Sequence, residues 1–296
     1  MGPVVCGIDF SDQSRRALTL AAALASRLGL PLRVATVVDP LLAEAAEMEY
    51  GPGRLVADTQ RDLDVFVQTV VASGSTFATS LSTRTEVGEP SEVLLQIAAH
   101  EHASVVVVGT EGVGWMKRMW FGSTTMRLLR AAAVPVLAVP ARETPVRDPA
   151  APPDLGFDRV LCGVDFSAAS EAAARMAAAI SSRLGVPMIL LHIETPTPVK
   201  ETWKDIAASV LEGQVEKARR HLDVLVSELA VRPSAAAVRT GEPAEVLVEQ
   251  AKTGGRALIV LGLGSASHAR PGATAALVLS HSTSPVLAVP ASAQLD

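Results

Sequence analysis

The sequence predicts an α/β protein built as two tandem domains, each a five-stranded parallel sheet with helices on both faces. Three observations lead there. The segment Cys6-Gly7-Ile8-Asp9-Phe10-Ser11 returns as Cys162-Gly163-Val164-Asp165-Phe166-Ser167, 156 positions later, and self-similarity at so long a period marks a duplicated unit. Within each copy, short apolar runs of strand length alternate with helix-length amphipathic segments, the order that parallel sheets with crossover helices require. Of the 296 residues, 49% are hydrophobic but only 3% aromatic. The cores must therefore be built from Ala, Val, Leu and Ile, as where helices pack on buried parallel strands.

In the first copy, Val4 to Ile8 reads as a strand, and Ser11 stands where a helix N-cap is wanted. Apolar residues at Ala17, Ala21, Leu24 and Leu28 follow at helical spacing, and Gly29 sits at the C-cap position. Leu32 to Val38 is the second strand, and Arg54 to Ala72 carries a further helical pattern. Then come a strand near Thr79 to Glu86, a helix from Pro90 to Ala99 and the apolar strand Ser104 to Val108. A helix over Ser123 to Ala132 and a strand over Val134 to Val139 close the copy. Such open sheets bind ligands at the carboxyl ends of their strands, where the strand order reverses.

The second copy repeats the opening helix as Ala173, Ala177, Ile180, Leu184 and Gly185. Gly88-Glu89-Pro90 recurs as Gly241-Glu242-Pro243, and Pro135 to Pro140 recurs as Pro285 to Pro290. From Ala141 to Gly156 the chain holds Pro145, Pro149, Pro152 and Pro153, which disfavour both helix and central strand. The domains are therefore set at 1–142 and 157–296, with 143–156 as linker.

The net charge of -5 and the absence of a basic stripe argue against nucleic-acid binding. The most apolar stretch, Ala17 to Leu32, is interrupted by Arg27, Gly29 and Pro31 and is too short for a bilayer. With a strand starting at Val4 and no secretory signal pattern, a cytoplasmic, membrane-free protein is expected. Cys6 and Cys162 lie inside apolar strand runs and are expected to be buried, inert thiols. His100-Glu101-His102 matches no zinc spacing, and neither a nucleophile elbow nor a P-loop is present. No catalytic and no metal-ligating residue is assigned.

Chemistry concentrates after the fourth strand. Gly109-Thr110-Glu111-Gly112 and, further on, Gly122-Ser123-Thr124 form a G-x2-G-x9-G-[ST] pattern leading into a helix. Glycines let a phosphate approach the backbone, while Ser123, Thr124 and the free amides of the helix start supply donors. Lys117 and Arg118 add charge, and Trp115 and Trp120 stand beside the loop as packing residues. Asp9, after the first strand, would repel a phosphate but can accept hydrogen bonds from a ribose or a base amine. A cap or turn role is its alternative.

The Gly7-Ile8-Asp9-Phe10-Ser11 start, the Gly109/Gly112/Gly122-Ser123 loop and the closing Val134-Pro135-Val136-Leu137-Ala138-Val139-Pro140 strand resemble the universal stress protein family, twice over nearly the whole chain. The resemblance implies a Rossmann-like, adenine-nucleotide-binding fold. It assigns Asp9 to the adenosine part, Val37 to the adenine pocket, and Gly109, Gly112, Gly122, Ser123 and Thr124 to ribose and phosphates. It also implies pairing through the last strand, hence an internal pseudo-dimer and a homodimer. The expected ligand is ATP, or AMP or ADP, with Mg²⁺ accompanying its phosphates. The expected function is that of a stress-response sensor or regulator acting on an unknown protein partner. A slow ATP hydrolase or phosphotransferase, or an interaction scaffold with a structural nucleotide, are the alternatives. The second copy departs from the pattern: nine residues separate Gly262 from Gly272 where twelve separate Gly109 from Gly122, Ser123 becomes Ala273, and Pro271 precedes the glycine. Asp165, Ile193 and Thr274 remain. The second domain is therefore expected to bind nucleotide weakly or not at all.

Overall fold

The computed structural model describes residues 2–72, 80–110, 123–140, 155–264 and 272–293. The chain divides into two compact units, Met1–Gly156 and Phe157–Gln294.

Unit one runs β1 (Val4–Ile8), α1 (Asp12–Leu28), β2 (Leu32–Val38), α2 (Pro40–Tyr50), α3 (Arg54–Ala72), β3 (Leu81–Val87), α4 (Pro90–His100), β4 (Val105–Gly109), α5 (Ser123–Ala131) and β5 (Val136–Val139). Its strands lie in the order β3-β2-β1-β4-β5, and all their pairings are parallel. The chain moves from β1 outward to β3, then returns to the other side of β1 for β4 and β5. The order thus reverses between β1 and β4, and the carboxyl ends of these two strands flank the switch point. Helices α1 and α3 pack together on one face, and α4 and α5 on the other.

Local signals explain α1. The Ser11 side chain accepts a hydrogen bond from the Ser14 amide, and Gly29 ends the helix in the left-handed conformation at φ 67°. Between them Ala17, Leu18, Ala21, Leu24 and Ala25 turn inward. The strands β1 and β4 bury Val4, Val5, Cys6, Val106 and Val107, so the centre of the sheet is covered on both faces. β5 starts two residues later than expected, because Pro135 brings no N–H to a strand ladder; its carbonyl accepts the Val106 N–H instead, at 2.9 Å. Helix α2 was not anticipated. It begins on Asp39, whose Oδ1 accepts the Leu41 and Leu42 amides at 2.8 and 3.2 Å, with Pro40 at the first helical position.

Unit two repeats the plan as β6 (Arg159–Val164), α6 (Ala168–Leu184), β7 (Met188–Glu194), a single 3-10 turn (Glu201–Trp203), α7 (Lys204–Glu228), β8 (Ala235–Thr240), α8 (Pro243–Lys252), β9 (Ala257–Leu263), α9 (Ala273–His281) and β10 (Val286–Pro290). Its strand order is β8-β7-β6-β9-β10, again with parallel pairings. Ser167 and Gly185 cap α6 as Ser11 and Gly29 cap α1.

Cys6 and Cys162 are both free and buried at the centres of β1 and β6, and burial pushes their thiols well above the ordinary range. The thiolate is the reactive form. The folded chain should therefore resist a disulfide reagent such as dithionitrobenzoate and release two thiols only in denaturant; rapid labelling of the native protein would contradict this packing. No helix among the described residues is long and apolar enough to cross a membrane.

Candidate functional site

In unit one the switch point gathers the ends of β1 and β4 and the start of α5. Asp9 follows β1 and is exposed. Its Oδ1 accepts the Ser11 hydroxyl at 2.5 Å and the Ser11 amide at 3.1 Å, an Asx turn that feeds the N-cap of α1. The carboxylate thus has a local structural task whether or not a ligand is present. Val37 stands one residue before the end of β2, half-buried, in register with Glu86 of β3. Its neighbour Thr36 is turned inward, its hydroxyl donating to the Ile8 carbonyl at 2.8 Å.

Gly109 ends β4 directly against the first turn of α1. A Cβ placed there would lie 3.0 Å from Gln13 Cβ and 3.2 Å from Gln13 C. This close helix-to-strand approach favours glycine before any ligand is considered. The Thr125 hydroxyl donates to the Gly109 carbonyl at 2.9 Å, tying the first turn of α5 to the strand end. Thr124 beside it is half-buried. Ser123 opens α5, and the amides of this first turn have no partner within the helix. They form a positive helix end close to β4, suited to an anion. Gly112 and Gly122, together with Trp115, Lys117, Arg118 and Trp120, lie outside the described residues.

Several groups beside this crevice were not singled out from the sequence. Phe10, next to Asp9, adopts φ 64°, and its counterpart Phe166 adopts φ 62°. A left-handed backbone is costly for an aromatic residue and clusters at functional or tightly determined sites. The repeated Asp-Phe-Ser was the only sequence signal. Phe10 meets Phe66 of α3 edge to face at 5.6 Å, and the Arg15 guanidinium lies 4.6 Å above the Phe66 ring. Glu89, the middle of the repeated Gly-Glu-Pro, caps α4 by accepting the Glu92 amide at 3.0 Å, takes the Ser91 hydroxyl, and pairs with Arg127 of α5 at 2.6 Å.

Burial works to raise the Glu89 carboxyl, but the bonds from Ser91, Glu92 and Arg127 outweigh it and hold the group below the usual carboxylate range. Glu89→Ala should cost about 1 kcal/mol, the ordinary worth of a side-chain N-cap. Because the folded pKa is depressed, that contribution is complete above an unfolded glutamate's pKa of about 4.3 and fades as pH falls through the folded value. Urea titrations of parent and variant should therefore converge in acid; a constant difference down to low pH would contradict the ionised cap.

Unit two keeps the framework and alters the chemistry. Asp165 accepts the Ser167 hydroxyl and amide at 2.5 and 3.0 Å. Burial works to raise its carboxyl, but these bonds and the Ser170 hydroxyl hold it below the ordinary range. Where Thr36 bonds Ile8, His192 places Nδ1 2.8 Å from the Val164 carbonyl and Nε2 3.1 Å from Glu194. Phe166 stacks on His192 at 4.5 Å and meets His221, not a phenylalanine, at 5.4 Å. The positions of Ser123, Thr125 and Arg127 hold Ala273, Ala275 and Leu277, so α9 has neither the hydroxyl tether nor the Glu–Arg pair. No side chain caps α9, and Glu242 makes no capping bond to α8. Residues 265–271 lie outside the described set. Among the described residues, no three His, Cys, Asp or Glu side chains converge as a metal site.

Comparison with known proteins accords with this duplicated architecture. A universal stress protein of Mycolicibacterium smegmatis is 30% identical, over 97% of this chain and 96% of its own length. A universal stress protein of Mycobacterium tuberculosis H37Rv is 29% identical over 93% of this chain and 90% of its own. The crystal structure of a universal stress protein from Archaeoglobus fulgidus superposes with a TM-score of 0.59 at 16% identity, covering 98% of both chains. A functionally unknown protein from Pseudomonas aeruginosa PAO1 shares the fold at TM-score 0.60 and 14% identity, covering 98% of this chain and 92% of its own. The universal stress protein family model matches residues 1–140 and again 156–290, and with both halves so matched the chain belongs to the universal stress protein family.

Proposed function

We infer that this protein is an adenine-nucleotide sensor whose first unit binds ATP or a related nucleotide and whose bound state determines the surface offered to a protein partner. The observation that carries the reading is the crevice of unit one, where the helix start of α5 is tethered to the Gly109 carbonyl at the switch point of the sheet. Charge favours one orientation of the nucleotide. Asp9 and Asp39 stand at the ends of β1 and β2, so phosphates belong on the β4 and α5 side, against the helix amides and the Gly112–Gly122 loop. Ribose and base belong toward Asp9, Phe10 and Val37. Mg²⁺, where used, would arrive with the phosphates.

Calorimetric titration of the full chain with ATP, with and without Mg²⁺, tests this. One tight site per chain is expected, lost in Asp9→Ala and kept in Asp165→Ala. Following ADP release in the same samples distinguishes sensing from hydrolysis. Absence of binding would sink the reading, and loss through Asp165→Ala alone would move the site to the second unit.

A further inference from the structure

Arg127 of α5 commits one part of its guanidinium and keeps another open. Its Nη1 donates to Glu89 Oε1 at 2.6 Å, and no other bond joins Arg127 to a described residue. The Nε–Nη2 edge is thus open among the described residues, and such a planar fork matches a phosphate with two parallel hydrogen bonds. An exposed arginine often leaves an edge to water, so the case rests on where this one is held.

Long side chains on a helix lean toward its N-terminus, so Arg127 covers the first turn of α5, whose amides have no partner within the helix. At 100° per residue it lies about 200° around the helix from Thr125, which is tied to the Gly109 carbonyl. The guanidinium therefore stands at the same helix start as the free amides but on the side away from β4. Its anchor is itself fixed. Glu89 Oε2 accepts the Ser91 hydroxyl and, at 3.0 Å, the Glu92 amide, which leaves Oε1 for Arg127. The other charged or titratable side chains of α4 and α5 are Glu92, His100 and Arg130, and Arg130 lies about one turn farther from the helix start. In unit two both ends of this arrangement are lost: Glu242 makes no capping bond, and the place of Arg127 is taken by Leu277, 49% exposed.

We propose that Arg127 binds the nucleotide's phosphates beyond the first, and that unit one therefore prefers ATP and ADP to AMP. The proposal rests on the nucleotide reading above. A first phosphate, joined to a ribose near Asp9, meets the amides of α5 on the Gly109 side. Further phosphates carry negative charge away from Asp9 and toward the open edge of Arg127. The energetics favour this use of the residue. With side chains 57% and 29% exposed, the Arg127–Glu89 pair contributes little to folding, whereas charge-assisted bonds from a fork to a phosphate are among the stronger polar contacts. Arg127 need not leave Glu89 to make them, because only Nη1 is engaged. Glu89 is then a positioning residue: it caps α4 and at the same time holds the guanidinium over the start of α5.

The test titrates the full chain with ATP, ADP and AMP and compares the parent with Arg127→Met and, as a control for net charge, Arg130→Met. The parent should bind ATP and ADP more tightly than AMP. Arg127→Met should weaken ATP binding by about tenfold or more, the usual worth of a hydrogen bond to a charged group, while AMP binding and ligand-free melting stay close to the parent's. Arg130→Met should keep the parent's ratio of ATP to AMP affinity. Equal weakening of ATP and AMP in Arg127→Met would make the residue structural, unchanged ATP binding would take it out of the site, and an equal loss of the ratio in Arg130→Met would reduce the effect to net charge. Each of these results, or a parent that holds AMP as tightly as ATP, overturns the proposal and leaves the nucleotide reading standing. A parent that binds no adenine nucleotide overturns both.

Discussion

Gly262→Ala is expected to destabilise the second unit by about 3 kcal/mol or more, at the upper end of what overpacking usually costs. Strand β9 ends beneath the first turn of α6, and a Cβ on Gly262 would lie 2.5 Å from both Ala169 C and Ser170 N and 2.7 Å from Ala169 O. These are backbone atoms of a capped helix, so no rotamer change relieves the clash. The helix start must lift, straining the Ser167 cap of α6 and the 3.2 Å bond from the Asp165 amide to the Ser170 hydroxyl. Gly109→Ala in unit one should be milder, about 1 kcal/mol, because its contacts with Gln13 lie at 3.0 to 3.4 Å, so a shift of a few tenths of an ångström relieves them. Gly264→Ala, with nothing closer than 3.9 Å, serves as the control. Denaturant unfolding of the three variants measures the series. A Gly262→Ala protein as stable as its parent would show that α6 does not press on β9 as described. The recurrence of glycine at the end of the fourth strand of both units is thus explained by helix packing, and the ligand argument must rest on the residues around it.

The parts of the fold that were readable in the sequence are those whose local and long-range requirements agree. In α1 and α6, a serine cap, apolar residues at helical spacing and a closing glycine all specify one helix, and the duplication repeats the message at a fixed offset. Helix α2 escaped notice because its only buried side chain is Ala43, so it has no apolar periodicity to read; its signal is the Asp39-Pro40 start alone. The crevice was less legible for a different reason. Asp9 could be named as a polar group after a strand, but its engagement by Ser11 depends on a turn geometry that composition does not reveal. Phe10 gives no hint of a left-handed backbone, since only glycine or asparagine would advertise one. The Glu89–Arg127 pair joins residues 38 positions apart, and the Thr125 tether joins two elements whose proximity follows only from the strand order.

Added ATP should raise the melting temperature of unit one and leave that of unit two where it is. A ligand that binds only the folded state stabilises it by RT ln(1 + [L]/Kd), about 2.7 kcal/mol at a hundredfold excess over Kd. For a unit of this size each kcal/mol is worth about 3 °C, so a shift of about 8 °C is expected. The gain requires the unit to hold phosphates, and the two units differ there. At the start of α5 stand Ser123, Thr124 and Thr125, the last bonded to Gly109, while α9 starts with Ala273, Thr274 and Ala275 behind a loop three residues shorter. In unit two Phe166 is moreover stacked on His192, whose two ring nitrogens are both engaged. Calorimetric melting of the full chain should therefore separate into two transitions as ATP is added. Gly122→Asp, which adds a carboxylate to the proposed phosphate loop, should abolish the shift. Asp9→Ala must be read against its own ligand-free melting, because losing the Ser11 turn weakens α1 without any nucleotide. Equal shifts of both transitions would make the second site competent despite its lost hydroxyls, and no shift at saturating ATP would remove the nucleotide from the proposal altogether.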